Sequence, residues 1–455
     1  MIDVGLLSPV SVGHDAGVSD AAVLDALVTA EVALTRAYAR VGAAPKSAVA
    51  EVASIFGWQD EQSGCRGHGV ALGELVAASV AGGNPVIPLV GALRSRVSAG
   101  AAVWIHRGAT SQDILDTALV LVARDAAAEV ARSLAATSRS LAHLARAHRD
   151  EVAAARTLTQ HAVPTTVGAR VAGWLRGVDR ARARLDDARA ALPVQLGGAA
   201  GTAAAFAEHL GSPEAATELI DAYAAELGLA APDAPWHTER WPITELGDAL
   251  VQAIDAVGKL ATDVATLSRT EIGEVAEGAA GGSSAMPQKQ NPAASVLIRS
   301  AALRAPQLGA TLHLAAALAA DERPDGAWHA EWPTLRDLLR LALGAAANAA
   351  RLAGGLRVDA AAVAGNLATT GGLLVSERLS IALTPLIGAA RVRDLVAAAA
   401  RGDDLGSLLR SLPELEGTDV ATLLDPAAYT GLAGTFVDRS VAASPSAPDL
   451  AEDSP

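Results

Sequence analysis

The stretch Gly281-Gly282-Ser283-Ser284-Ala285-Met286-Pro287-Gln288-Lys289-Gln290-Asn291-Pro292 interrupts a chain that otherwise carries helical patterns. Two glycines, two serines and two prolines within this short run cannot continue a helix. The Ala-rich segments on either side, from after Pro242 through Arg269 and over 293–320, predict long helices. The sequence therefore predicts a loop between two long helices.

Three further long helices are predicted from the same pattern. No glycine or proline occurs between Gly108 and Pro164, and apolar residues recur near the helical period from Ile114 to Val122. Thr110-Ser111-Gln112-Asp113 has the composition of an N-cap and would start this very long helix. The other two helices cover 168–192 and 333–354. Five such helices predict a bundle whose apolar faces are too extensive for one chain to bury. The chain is therefore expected to form an oligomer.

The fold class expected is all-α, because β signals are almost absent. We expect a helical N-terminal domain over 1–103, a central long-helix domain over 104–354 and a helical C-terminal domain over 355–440. The run Ser444-Pro445-Ser446-Ala447-Pro448 and the acidic end predict a disordered tail over 441–455.

The composition and net charge of the chain argue against several classes of binding partner. The 455 residues can bury a large core, and 51% hydrophobic with only 3% aromatic residues favours closely packed helices. The net charge of −14 argues against nucleic acid or an anionic membrane surface as a partner. The single cysteine, Cys65, excludes an intrachain disulfide and is interpreted as a passive thiol in a reducing compartment. With no signal-peptide pattern at its start, the chain is expected to be cytoplasmic.

The loop at 281–292 contains groups suited to removing a proton next to a carboxylate. That reaction needs a base at the carbon and cations or N–H groups around the carboxylate. Ser283 could be the base if backbone N–H groups and the Lys289 ammonium stabilise its alkoxide. Lysine occurs only at Lys46, Lys259 and Lys289 among 36 Lys and Arg residues, which hints that a compact charge is needed in the loop. An interdomain linker is the alternative interpretation.

Other segments could complete a pocket. In His106-Arg107-Gly108-Ala109-Thr110-Ser111-Gln112-Asp113, the predicted helix N-terminus is either a plain cap or a carboxylate site. Trp236-His237-Thr238-Glu239-Arg240 and Asp321-Glu322-Arg323 each place an arginine where a bidentate clamp could form. Trp328-His329-Ala330-Glu331-Trp332 is a less defined candidate. Core packing is the alternative for the tryptophans of these segments.

These segments resemble the fumarase/aspartase superfamily. The loop matches its pattern G-S-S-x-M-P-x-K-x-N-P completely, residues 110–113 match its T-S-x-D stretch, and residues 156–166 resemble its second conserved block. The resemblance implies a three-domain subunit, a homotetramer with active sites built from three subunits, a small polycarboxylate substrate, and no metal or organic cofactor. It also implies catalytic roles for Ser283 and Lys289, with substrate contacts from His106, Thr110, Ser111, Gln112, Thr157, Gln160, His161, His237, Arg240, Ser284, Met286, Asn291 and Arg323.

Leu158 is a departure within the second block. Fumarases, argininosuccinate lyases and adenylosuccinate lyases have a histidine there, and in the amine-releasing lyases it protonates the leaving group. Leucine cannot donate a proton, whereas a carboxylate leaves as a stable anion because its pKa is about 4. The departure therefore predicts a leaving group that is already a good anion. His161 could substitute as the acid, but a packing or binding role is preferred.

Up to about residue 435 the chain resembles the bacterial 3-carboxy-cis,cis-muconate cycloisomerases of protocatechuate breakdown, in the beta-ketoadipate pathway. The matching stretches include 3–9, 83–88, 235–237 and 326–332. The resemblance implies addition of a substrate carboxylate across a conjugated double bond to close a lactone. Gln290 and Val167 depart from the usual Arg and Phe. Nitrosuccinate lyase is the enzymatic alternative, and a non-catalytic scaffold is the other, against which the intact Ser283, Lys289 and Asn291 argue.

Overall fold

The structure, a computed structural model, describes residues 4–279, 281–282, 285–286 and 288–445. Helices dominate this part of the chain, which confirms the all-α fold class. The α-helices are, in chain order, α1 (Asp20–Arg40), α2 (Lys46–Ile55), α3 (Leu72–Gly82), α4 (Val86–Arg94), α5 (Ala99–Ala102), α6 (Ser111–Ala147), α7 (Val167–Ala190), α8 (Ala204–Leu210), α9 (Pro213–Leu227), α10 (Trp241–Leu267), α11 (Ala293–Ala317), α12 (Gly326–Gly355), α13 (Ala360–Ala368), α14 (Ser376–Ile387), α15 (Ala389–Ala400), α16 (Leu405–Arg410), α17 (Val420–Leu424) and α18 (Ala433–Ala443).

Six short strands form three antiparallel pairs in the described residues. They are β1 (Trp58–Gln59) with β2 (Gly64–Cys65), β3 (Val152–Thr157) with β4 (Gln160–Thr166), and β5 (Val275–Ala276) with β6 (Arg357–Val358).

All five predicted long helices are present, as α6, α7, α10, α11 and α12. The N-terminal turns of α6 are buried on all sides, so the apolar residues from Ile114 to Val122 pack in a core. α10 stops at Leu267, before the predicted Arg269, and α12 starts at Gly326, so that Pro333 lies inside it.

The expectation of helix without β structure was wrong for residues 152–166. This segment is the β3–β4 hairpin, in which Thr157 pairs with Gln160 across a two-residue turn. Leu158 and Thr159 form that turn with φ angles of 47° and 70°, in the left-handed region. Two-residue hairpin turns usually place Asn or Gly there. The Leu-Thr pair therefore hid the hairpin from sequence-based prediction.

The contacts divide the chain into two compact units: unit 1 comprises Met1–Arg132, Arg182–Asp255 and Ser300–Ala347, and unit 2 comprises Ser133–Ala181, Ala256–Arg299 and Asn348–Pro455. In unit 1, the mostly buried helix α1 packs against α9. In unit 2, apolar residues between Val375 and Val420 form a separate helical core. The three predicted domains stay a prediction. Of the predicted tail, α18 continues to Ala443, and residues 446–455 lie outside the described residues.

No helix in the described part of the chain combines the length and apolar content needed to cross a bilayer. Within the same residues, no cluster of three or more His, Cys, Asp or Glu side chains has the arrangement of a metal site. Cys65 is buried and unpaired with another cysteine, and burial raises its pKa to about 12, consistent with a passive thiol.

Candidate active site

In unit 1, one face of α1 holds the segment that leads into α6. Its side chains at 31, 35 and 38 lie one helical turn apart and so point the same way. Their contacts are Glu31 Oε1 to His106 Nδ1 at 2.7 Å, Thr35 Oγ1 donating to Trp104 O at 3.2 Å, and Tyr38 Oη donating to Arg107 O at 3.0 Å. The backbone around His106 is therefore fixed by side chains far away in sequence.

Gly108 is required by this arrangement. Its φ of 74° lies in the left-handed region, and a Cβ there would come within 2.8 Å of the Phe206 ring and 3.3 Å of Tyr38 Oη. His106 also has a left-handed φ, of 55°, which a non-glycine residue adopts only under constraint from its surroundings.

The N-terminus of α6 follows directly, as predicted. The helix begins at Ser111, and the Thr110 backbone N–H donates to Asp113 Oδ2 at 2.9 Å. This reciprocal bond from the third helical residue is half of a capping box. Thr110 is buried and Ser111 is half-buried. The prediction that this helix end binds a carboxylate remains a prediction.

Asp113 links the helix end to two distant segments. Its fully buried carboxylate accepts hydrogen bonds from the backbone N–H groups of Gly197 and Gly198 at 2.8 and 2.9 Å. It also contacts His237 Nε2 at 2.8 Å, and His237 is itself only 4% exposed. The two glycines pass close to other atoms, since a Cβ on Gly197 would lie 2.6 Å from Pro235. The predicted site residue His237 is thus held by a carboxylate.

Arg240 lies in a second buried ion pair of the same unit. Its guanidinium donates to both oxygens of Asp116, at 2.7 and 3.1 Å, and to Glu331. Burial opposes its charge, but Asp116 and Glu331 hold the pKa of Arg240 above its ordinary value. Two carboxylates therefore balance the arginine, and its predicted role as a substrate clamp stays a prediction.

Further donors complete the environment of Asp116. Trp328 Nε1 donates to Oδ1 at 2.8 Å, and Gln112 Nε2 donates to Oδ2 at 3.1 Å and to His237 O at 2.8 Å. Trp236 and Trp328 are buried, in agreement with core packing, whereas Trp241 is 44% exposed. We call Asp113, Asp116, His237, Arg240 and Glu331 the carboxylate cluster.

Arg323 has a different environment in unit 1. It is exposed, and its guanidinium donates to Ala199 O at 2.9 Å, a backbone oxygen just after the glycines that Asp113 binds. Within unit 1, Arg323 and His237 therefore both lie next to the backbone of residues 197–199.

In unit 2, the β3–β4 hairpin presents its turn to solvent. Thr157, Leu158 and Gln160 are exposed, Leu158 to 96%, and His161 is half-buried. Burial and the positive charge of its cross-strand neighbour Arg156 lower the pKa of His161, which favours the neutral imidazole. Arg156 of β3 and Arg170 of α7 both donate to Glu274, at 2.6 and 3.1 Å, so the hairpin and α7 are both tied to the residue before β5.

The base of the loop at 281–292 is tied together by hydrogen bonds. Gly281 and Asn291 exchange two backbone bonds of 2.8 and 2.9 Å, and Asn291 Nδ2 donates to Gly282 O at 3.1 Å. Glu277 caps α11 by accepting from the Ala294 and Ser295 backbone N–H groups at 3.1 and 2.9 Å. Both ends of the loop are therefore fixed.

The predicted loop residues are placed only in part. Lys289 and Met286 are exposed, and the Lys289 backbone N–H donates to Met286 O at 3.0 Å. Ser283 and Ser284 lie outside the described residues. Within unit 2 the structure thus contains the hairpin residues 157, 160 and 161 and the described loop residues 286, 289 and 291.

Sequence reasoning did not name as site residues the carboxylates that organise these segments, although it quoted two of them within candidate segments; they are Glu31, Asp113, Asp116, Glu274, Glu277 and Glu331. A signal existed for Asp113 and Asp116. They lie three residues apart among apolar residues of a predicted helix, so they share a face that is buried. Charged residues on a buried face require partners.

Comparison with known proteins identifies the family of this chain. A family described as lyase matches residues 15–306. The chain belongs to the fumarase/aspartase superfamily of lyases. Within the superfamily, it is 48% identical to a nitrosuccinate lyase of Streptomyces davaonensis, over 97% of this chain and 95% of the relative. It is 42% identical to a 3-carboxy-cis,cis-muconate cycloisomerase of Pseudomonas aeruginosa, over 93% and 92% of the two chains.

A solved superfamily structure agrees with the fold. The crystal structure of 3-carboxy-cis,cis-muconate lactonizing enzyme from Pseudomonas putida matches with a TM-score of 0.83 at 37% identity. The match covers 93% of this chain and 95% of that structure. The resemblance to the superfamily inferred from the loop is therefore confirmed.

Proposed function

We propose that this chain is a 3-carboxy-cis,cis-muconate cycloisomerase. In the direction of lactone closure, a substrate carboxylate oxygen adds to one carbon of a conjugated double bond, and the neighbouring carbon, next to a carboxylate, takes up a proton. In the reverse direction a base removes that proton, and the ring carboxylate leaves with the electron pair of the broken C–O bond.

The observation that carries the leaving-group part of this proposal is Leu158 at the tip of the hairpin. The side chain is 96% exposed on a turn whose neighbours Thr157 and Gln160 are predicted substrate contacts. A leucine there supplies no proton, which suits a leaving group that is stable as an anion. A reaction that expels an amine would lack its acid at this position.

The catalytic base proposed is Ser283, and Lys289 is its supporting charge. The intermediate carries extra negative charge on the carboxylate next to the deprotonated carbon. The exposed Lys289 ammonium and the N–H groups of a glycine-containing loop are suited to stabilising that charge. The homotetramer with shared active sites is part of the same proposal, as are the substrate contacts predicted from the sequence.

Nitrosuccinate lyase activity is the second candidate. The 48% identity to the Streptomyces davaonensis enzyme favours it specifically. Nitrite is also a stable anion, so Leu158 suits both reactions. We prefer the cycloisomerase because a tricarboxylate needs more positive groups than a nitrodicarboxylate. Lys289 and Arg323 are exposed cations, and although burial lowers the pKa of His106, its carboxylate neighbours raise that pKa overall.

A side-by-side turnover assay tests the two candidates. Purified protein, with chelator and without added cofactor, is mixed in parallel with 3-carboxy-cis,cis-muconate and with nitrosuccinate. Loss of diene absorbance and release of nitrite are followed, and kcat/KM is compared. We expect fast diene loss with a carboxymuconolactone as product. A higher kcat/KM for nitrosuccinate would reverse the assignment, and no turnover of either by a correctly assembled tetramer would favour a scaffold.

A further inference from the structure

Glu31 and His106 form a pair in unit 1 that has no part in the proton transfer proposed for Ser283 and Lys289. Glu31 lies on α1 and is 1% exposed, and its Oε1 is 2.7 Å from His106 Nδ1. The two residues are 75 positions apart in sequence, so the fold alone brings them together.

The charges around the pair favour an imidazolium. A buried carboxylate needs a positive partner, and Glu31 Oε2 has no hydrogen-bond partner among the described residues. The charged groups that face His106 are Glu31 from α1, Asp113 from α6 and Arg94 from α4. Burial and Arg94 oppose the imidazolium, but the two carboxylates outweigh them, so the pKa of His106 is raised above its ordinary value.

The geometry also fixes which nitrogen is available. A hydrogen bond from Nδ1 to a carboxylate sets the ring orientation and leaves Nε2 as the second N–H donor of the cation. The structure gives Nε2 no hydrogen bond within the described residues, and the side chain is 17% exposed. His106 adopts a left-handed backbone conformation shortly before the first turn of α6, whose N–H groups also favour anions.

We propose that Glu31 is a positioning residue that keeps His106 as an oriented imidazolium, whose Nε2–H binds an anionic group of the substrate. This rests on the proposed function insofar as the substrate is a polycarboxylate. Glu31 acts only through His106 and touches no substrate itself. Anion binding through this pair weakens as the pH rises through the pKa of His106, because the neutral imidazole no longer carries the charge.

The first experiment measures the pair without any substrate. Exchange of the imidazole C2 hydrogen with deuterium, followed by mass spectrometry of the peptide that contains His106, gives the titration midpoint of this single side chain. Wild type is compared with Glu31→Gln, which keeps the shape and removes the charge. Glu226→Gln is the matched control, because Glu226 is a buried carboxylate bonded to α1 through Arg36 and Arg40. We expect the midpoint to fall by about one pH unit or more in Glu31→Gln and to be unchanged in the control.

The second experiment measures binding of tricarballylate, an unreactive tricarboxylate, by calorimetry at about pH 6 and about pH 8.5, on either side of the ordinary range of histidine. Glu31→Gln is expected to bind within about threefold of wild type at the lower pH and at least about tenfold more weakly at the higher pH. Glu31→Asp restores the negative charge and should recover part of the affinity at the higher pH. His106→Gln should bind weakly with little difference between the two pH values.

The outcomes separate this inference from the proposed function. An unchanged His106 midpoint in Glu31→Gln overturns it, and so does an equal loss of affinity at both pH values, which is the mark of a merely structural role. Chains that turn over neither candidate substrate but keep the pH-dependent tricarballylate binding would overturn the proposed function and support the pair.

Discussion

The carboxylate cluster of unit 1 and the exposed turns of unit 2 differ in how their polar groups are used. By the exposed turns we mean the hairpin turn at 157–160 and residues 285–286 and 288–290 of the loop at 281–292. In the cluster, Asp113 and Asp116 are fully buried, and each accepts several hydrogen bonds from side chains or backbone. In the turns, Leu158, Met286 and Lys289 are exposed, and the described bonds lie mainly at the base. The cluster is therefore expected to contribute mainly to stability, and the turns mainly to turnover.

The largest effect expected is for Ser283→Ala in the loop at 281–292. Loss of the proposed base should lower kcat by about 10³-fold or more. The urea midpoint and the oligomeric state should stay those of wild type, because the change removes only a hydroxyl group proposed to act in catalysis. Diene-loss kinetics, urea unfolding and light scattering measure the three quantities. Near-normal turnover would disprove the base assignment, and Ser47→Ala on the exposed surface of α2 serves as the control.

Asp113→Asn should have the largest effect on stability in the cluster. The amide places a donor against backbone N–H groups of Gly197 and Gly198 and removes the charge that pairs with His237. We expect a loss of about 3 kcal/mol in the free energy of unfolding, measured by urea at fixed protein concentration. Asp125→Asn is the control, since Asp125 is an exposed residue of the same helix. Equal free energies of unfolding for Asp113→Asn and Asp125→Asn would show that the carboxylate cluster has no special role in stability.

Lys289→Ala tests the same loop a second time. Removing the ammonium should lower kcat/KM by about 10²-fold and weaken binding of tricarballylate, since one charge that stabilises the intermediate is lost. Lys259→Ala is the matched control, because Lys259 is also an exposed lysine and is paired with Asp263 on α10. If both lysine variants bind tricarballylate with the wild-type affinity, the proposed contact between Lys289 and the substrate carboxylate is disproved.

The variant Glu274→Gln tests whether a buried carboxylate of unit 2 stabilises the fold as the carboxylate cluster of unit 1 is expected to do. Burial raises the pKa of Glu274, but Arg156 and Arg170 outweigh it, and the net pKa is lowered. The stabilisation is therefore present above the unfolded value of about 4.5 and is lost as the pH falls through the lower folded value.

Urea unfolding of Glu274→Gln at about pH 7 should show a loss of about 2 kcal/mol. The difference from wild type should shrink at pH values below the unfolded pKa. Glu271→Gln, at an exposed position three residues earlier, should match wild type throughout. A difference in stability that grows in acid would show that the pKa of Glu274 is raised on folding instead.

The smallest effect is expected at the hairpin tip. Leu158→Ala and Leu158→His should change kcat by less than about threefold, because protonating a stable anion brings little gain in rate. Turnover of both candidate substrates measures this. A large gain for Leu158→His would show that the reaction does use an acid at this position, and it would overturn the leaving-group argument.

The helices could be predicted largely because glycine and proline mark their ends, as at Gly108 and Pro292. The hairpin could not, since Leu158 and Thr159 adopt left-handed conformations that their residue types disfavour. The loop motif identified the superfamily by itself. The partners of His106, His237 and Arg240 were unpredictable for another reason. They lie 75 to 124 residues away in sequence, and local patterns do not report such pairings.

The tie between Gly281 and Asn291 has a consequence for evolution of the enzyme. Because the ends of the loop are already joined, the segment between them can be lengthened at a small entropic cost, which grows only with the logarithm of loop length. The Glu277 cap keeps α11 in place whatever the loop contains. Changes within the loop that keep Ser283 and Lys289 are therefore expected to alter substrate preference without loss of the fold, and Gln290, which departs from the usual arginine, lies inside that loop.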